Sequence, residues 1–208
     1  MIDEIGFLIF IGSLIVYLGV IFYSYKSTKP TRLKILNEIY KNWAHIHVKK
    51  ERHLIAIQAL RNFTMGNSIF ISAFFILLGI LIGFYTSGSF NSDPFWGITQ
   101  LTIGLMQISV NLIIIMFCVI NFSLSIRSIT RLSLLISADL QDYSTVDFTG
   151  VDFAEKTFIA AKNHWMAGVR GLFYLIATLI WFVNSLFFIV TTIVMTIYLI
   201  TIHDVKLF

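Results

Sequence analysis

Apolar residues dominate the chain in four long stretches, and the charges are confined to what lies between them. No Asp, Glu, Lys or Arg occurs over residues 5–25, 62–92, 94–126 or 171–203, runs of 21, 31, 33 and 33 residues. A helix needs roughly 20 apolar residues to cross a hydrocarbon core about 30 Å thick. Each run suffices for one crossing, and the three longer runs are short for two crossings plus a turn. The pattern predicts spans over about 5–25, 64–86, 97–125 and 172–201. The expected fold is all-α: a polytopic four-transmembrane-helix bundle forming a single membrane domain over 1–208, with two amphipathic helical segments on the cytoplasmic side, at about 32–61 and 126–170.

Periodicity between the runs is helical. Leu33, Leu36, Ile39, Tyr40, Trp43 and Ile46 make one apolar stripe, with Lys34, Glu38, Lys41 and Asn42 behind it. Pro30 and Thr31 fit its start. Residues 86–94 are rich in Gly, Ser and Asn and end in Asp93-Pro94, which predicts a turn, and Trp96 follows as an interface anchor. The third span is expected to continue as a helix to Ile136. Residues 139–150 read as a polar, acidic loop. Asp152 and Glu155 match a capping-box start for a second helix over about 153–168, striped by Ala154, Phe158, Ala161, Trp165 and Val169.

Composition adds weight to the membrane reading. The chain is 57% hydrophobic and only 12% charged, where soluble domains average about 45–50% and about 25%. This excludes a disordered chain and a disulfide scaffold, and it argues against a soluble enzyme. The first run follows Met1-Ile2-Asp3-Glu4, acidic where a signal peptide is basic, so it reads as a permanent anchor.

Charge then sets an orientation. Nine Lys and Arg lie in 26–61, five in 127–170, and only Lys206 elsewhere. The positive-inside rule places both long connections in the cytoplasm. Four crossings would leave both termini outside, in the cell membrane. The basic balance is a topology signal, and no basic–aromatic module suggests nucleic acid.

Candidate chemistry is sparse. Gln100, Gly104, Gln107, Asn111, Cys118, Asn121 and Ser125 step by three or four residues along the third span, with one gap at Ile114. Uncharged polar groups on one helical face should look inward. Gln100, Gln107, Asn111, Asn121 and Ser125, together with Asn184 of the fourth span, are therefore the candidate interior polar face. They serve either as interhelical glue, the favoured reading, or as the wall of a wet pathway. Arg61, Arg127, Arg131 and Arg170 sit at the inner ends of spans. They read as topology anchors, with anionic lipid head groups as a candidate partner.

No carboxylate or His falls mid-span, which argues against a proton- or sodium-coupled transporter. His45, His47, His53, His164 and His203 form no ligand motif, and Asp139, Asp142, Asp147 and Asp152 fit no calcium loop. Cys118 is the only cysteine and reads as a buried, inert thiol. No catalytic constellation, cofactor motif or metal site is expected.

An ordered set of segments carries a resemblance. Asn42-Trp43, residues 58–62 (QALRN), 72–79 (SAFFILLG), 124–127 (LSIR), 168–174 (GVRGLFY) and Trp181-Phe182 follow one another along the chain. In this order, from about Tyr17 to Asp204, it resembles a four-span membrane family of plants and bacteria catalogued only as a domain of unknown function. The resemblance implies an all-helical bundle and no reaction. Two functions are expected to compete. One is an accessory or structural subunit of a membrane assembly; the other is a homo-oligomeric channel or passive permeation protein using the polar face.

Overall fold

The computed structural model describes residues 1–26, 31–49, 53–88, 92–138 and 149–205. In chain order these form α1 (Ile2–Lys26), α2 (Arg32–Lys49), α3 (His53–Ser87), β1 (Pro94–Phe95), β2 (Ile98–Thr102), α4 (Ile103–Ser137), α5 (Gly150–Ile180) and α6 (Ser185–Tyr198), with a π-helical segment at Leu199–Val205. Four helical stretches are long and apolar enough to cross a membrane: Ile2–Ser24, Leu54–Ser87, Ile103–Ser137 and Ser185–Ile202. The chain is a multi-pass membrane protein. Pro30 and the acidic loop with Asp139, Asp142 and Asp147 lie outside the described residues.

The chain divides into two compact units, Met1–Leu33 with Phe74–Phe117 and Val169–Phe208, and Lys34–Ala73 with Cys118–Gly168. In the first unit, α1 and α6 run parallel. At one end Asp3 Oδ1 accepts from Trp181 Nε1 at 2.8 Å and from the Ser185 hydroxyl. A little further along, Gly6 gives the Phe188 ring its place, since a Cβ there would stand 3.1 Å from it. At the other end Arg32 donates to the Ile202 carbonyl at 2.6 Å, satisfying one of the last carbonyls of the helix. Asp3 and Ile202 therefore lie at opposite ends of this unit, whereas the charge pattern places both termini on one side. Phe10, Tyr17, Tyr174, Trp181 and Phe188 pack the core between these helices. Tyr174 meets both Phe10 and Tyr17 edge-on.

The expected fourth span over 172–201 is two pieces. Residues 172–180 end α5, a turn follows at Trp181–Val183, and α6 begins after Asn184, whose side chain accepts from the Leu186 and Phe187 amides. No Pro or Gly marks the break, and only the Asn184-Ser185 pair carries a helix-start signal. The expected span over 97–125 also loses its first turn. Residues 98–102 pair with β1, and the two-residue turn at Trp96 and Gly97 takes φ 53° and 71°, the doubly positive geometry a tight hairpin needs. Trp96 N–H donates to Glu4 Oε1 at 2.7 Å, which seats the hairpin on the start of α1.

In the second unit, the parts of α2, α3, α4 and α5 it contains close over Ala44, Ala56, Leu60, Ile129, Leu132, Ile136, Ala154, Phe158 and Ala161. The stripe expected on α5 is the one buried. That on α2 is rotated: Ala44 is fully buried while Ile39 is 55% exposed, and Asn37 accepts a hydrogen bond from Lys162. Tyr40 and Trp43 pack on Phe158, and burial pushes the Tyr40 hydroxyl above the usual phenol range. His45 on α2 lies 3.2 Å from Glu155 on α5.

Gly168 is required by close approach. A Cβ there would stand 2.8 Å from the Phe122 ring, which is fully buried and stacked on Phe70. Overpacking of this kind costs about 1–3 kcal/mol. Gly168→Ala is expected to lower the unfolding free energy in detergent by that amount. An unchanged denaturation midpoint would contradict the packing.

Candidate functional site

The polar face of α4 is turned toward α5. In the first unit Gln107, buried, donates from Nε2 to the Trp181 carbonyl at 2.9 Å. One turn on, Asn111 is fully buried. Its Nδ2 donates to the Gln107 carbonyl at 2.8 Å and the Thr178 carbonyl at 3.3 Å, and its Oδ1 accepts from the Thr178 hydroxyl at 2.9 Å. The amide is thus met on both its donor and acceptor sides, which is what a polar group removed from water needs.

In the second unit the same face continues. Cys118 Sγ lies 3.6 Å from the Gly168 carbonyl, Asn121 Oδ1 lies 3.2 Å from His164 Nδ1, and Ser125 donates to the Ala161 carbonyl at 2.9 Å. Asn121 and Cys118 belong to the charge-free run of α4. Their α5 partners are His164 and the Gly168 carbonyl, and Lys162, two residues before His164, is nearly fully buried. Titratable groups therefore do stand beside a charge-free helix, on an element whose hydropathy does not mark it as a span.

Two of the expected interior residues are elsewhere. Gln100 is exposed in β2, because the first turn expected of the span is a strand. Asn184 is exposed and serves as the cap of α6. Asn67 and Ser68 of α3 donate to carbonyls one turn back on their own helix. The partners of the α4 face come from α5, as the Thr178 and His164 side chains and the carbonyls of Ala161, Gly168 and Thr178, and from the Trp181 carbonyl just beyond it. A polar residue on α5 four positions from Tyr174 is the one available signal for Thr178.

Arg61, Arg127 and Arg131 are exposed in the second unit and make no ion pair among the described residues. Arg170 is half-buried and belongs to the first unit. No cluster of three His, Cys, Asp or Glu that could hold a metal occurs among the described residues.

The first unit also holds a cavity of about 600 Å³, with Asp3, Phe84, Gln107, Trp181 and Asn184 among its walls. In the sequence Asp3 reads only as part of an acidic lead-in. It lies in the first turn of α1 and bonds Ser185 in the first turn of α6, so it joins the starts of the two helices.

No curated protein and no solved structure matches the chain. A family model described as "Protein of unknown function, DUF599" matches residues 5–206. That match covers nearly the whole chain, including both units and every residue of the α4–α5 seam, and the chain belongs to this family.

Proposed function

We propose that the protein is an accessory or structural subunit of a larger membrane assembly in the cell membrane, and not an enzyme. The observation that carries this reading is the use made of the polar face of α4. Gln107, Asn111 and Ser125 are buried and direct their bonds to α5 and to the turn that follows it. A pore wall has to offer such groups to water and ions, and these are spent inside the fold. What remains outward is apolar: on α6 alone, Leu186, Phe187, Val190, Val194 and Ile197 are more than half exposed. Such faces suit lipid or the helices of a partner.

The parallel course of α1 and α6 supports a topology with five crossings, the N-terminus outside and the C-terminus inside. In this arrangement α5 makes the fifth crossing. The end of α6 then lies on the side that carries exposed Arg61, Arg127 and Arg131, as the positive-inside rule favours. Exposed Arg61, Arg127 and Arg131 would meet anionic lipid head groups there.

Isolation in a gentle detergent followed by native mass measurement, paired with reconstitution into vesicles, tests the function. The expected result is a stoichiometric complex with further chains and no ion or solute flux from the purified protein. Flux that Gln107→Leu or Asn111→Leu alters, with the oligomer intact, would overturn the reading in favour of a permeation protein.

A further inference from the structure

The cavity of the first unit has the composition of a binding site for an amphiphile. Its volume, about 600 Å³, lies within the range of small-molecule sites, which combine an apolar wall with a few convergent polar groups. Leu77, Leu81, Phe84 and Trp181 supply apolar and aromatic surface. Asp3 is the only charged residue among the lining side chains. Both of its hydrogen bonds fall on Oδ1, which leaves Oδ2 without a partner among the described residues. Gln107 spends its amide nitrogen on the Trp181 carbonyl and leaves its Oε1 without one. The site therefore offers two oxygen acceptors, one of them formally anionic, beside aromatic rings, and no Lys, Arg or His faces them.

We propose that this cavity binds a cationic amphiphile, an ammonium head group on an apolar tail, with the head at Asp3 and Gln107 and the tail along Leu77, Leu81 and Phe84. An ammonium has donors and no acceptor, so it complements both oxygens at once. An anionic head would meet the Asp3 carboxylate and be repelled. The same head-group chemistry is offered by a free long-chain amine and by the head of an aminophospholipid. The site does not depend on whether the protein works alone or as a subunit.

Equilibrium binding of dodecylammonium, dodecanol and dodecanoate to the full chain in a neutral maltoside detergent tests this. Dodecylammonium is expected to bind at one per chain, dodecanol at least tenfold more weakly, and dodecanoate more weakly still. Ile80→Trp puts an indole into the cavity from a position 49% exposed and leaves the Asp3 bonds intact, so it should abolish binding. Asp3→Asn should weaken it at least tenfold, and Ile80→Trp carries the test alone if that variant does not fold. Native mass spectra after incubation with phosphatidylethanolamine or phosphatidylglycerol separate the two sources. Retention of phosphatidylethanolamine alone identifies a lipid head group, and retention of neither with dodecylammonium bound identifies a free amine. Equal binding of the three dodecyl compounds, or binding undiminished by Ile80→Trp, would overturn the proposal.

Discussion

Asn111→Leu is expected to destabilise the protein by about 2 kcal/mol. Leucine removes the donor that two carbonyls receive and the acceptor of the Thr178 hydroxyl. Leaving one buried polar group unsatisfied costs about 1–3 kcal/mol. In helical membrane bundles the net value per bond is smaller, about 0.6 and at most about 1.7 kcal/mol, because the separated helices also find partners. Thr178 keeps a second bond, to the Leu175 carbonyl at 3.1 Å, which limits its loss. Removing all three hydrogen bonds of the Asn111 amide together brings the sum to the stated size. Unfolding in mixed micelles measures it, and a double-mutant cycle with Thr178→Val isolates the pair. Coupling of about 1 kcal/mol is expected between neighbours that share a bond. Two effects that simply add would mean the bond contributes nothing, and Asn111 would have to be accounted for in another way.

The second large effect concerns the side of the membrane on which the chain ends. The parallel pair α1 and α6 is held at one end by Asp3 with Trp181 and Ser185, and at the other by Arg32 with the Ile202 carbonyl. An end cannot change sides without breaking both sets of hydrogen bonds, so the outcome is all or none.

How much of this is legible in the sequence follows from what each signal reports. Hydropathy reports long apolar runs, and it finds α1, α3 and α4 because each holds one long enough to cross a membrane. In α5 the first-unit residues 169–180 leave only Ile176 exposed, since α1, α4 and α6 contribute Phe10, Asn111 and Thr196 to their partners. A helix covered by other helices need not be apolar toward lipid. Charges at Lys162 and Arg170 interrupt the apolar pattern along α5, so hydropathy does not mark it as a span. The stepping of Gln107, Asn111, Cys118, Asn121 and Ser125 is readable because a costly group in the bilayer must turn inward. Which helix they turn toward is not readable, because backbone carbonyls, most of the partners here, leave no trace in side-chain identity. Gln100 follows the same step in sequence and is lost to a strand, where a period of three or four has no meaning. Asp3 gives no sign of its place, because its partners Trp181 and Ser185 lie nearly the whole chain away.

Cysteine accessibility tests the five-crossing architecture most directly. The native thiol, Cys118, is fully buried, so one introduced cysteine can be labelled against a silent background. Lys41→Cys on exposed α2, Ser92→Cys beside the hairpin, and a cysteine appended after Phe208 are each treated, in sealed vesicles, with a reagent that cannot cross the membrane. The architecture predicts that the appended cysteine labels on the same side as Lys41→Cys and opposite to Ser92→Cys. Labelling of the appended cysteine on the side of Ser92→Cys would contradict it, restore an even number of crossings, and separate α6 from its parallel course with α1.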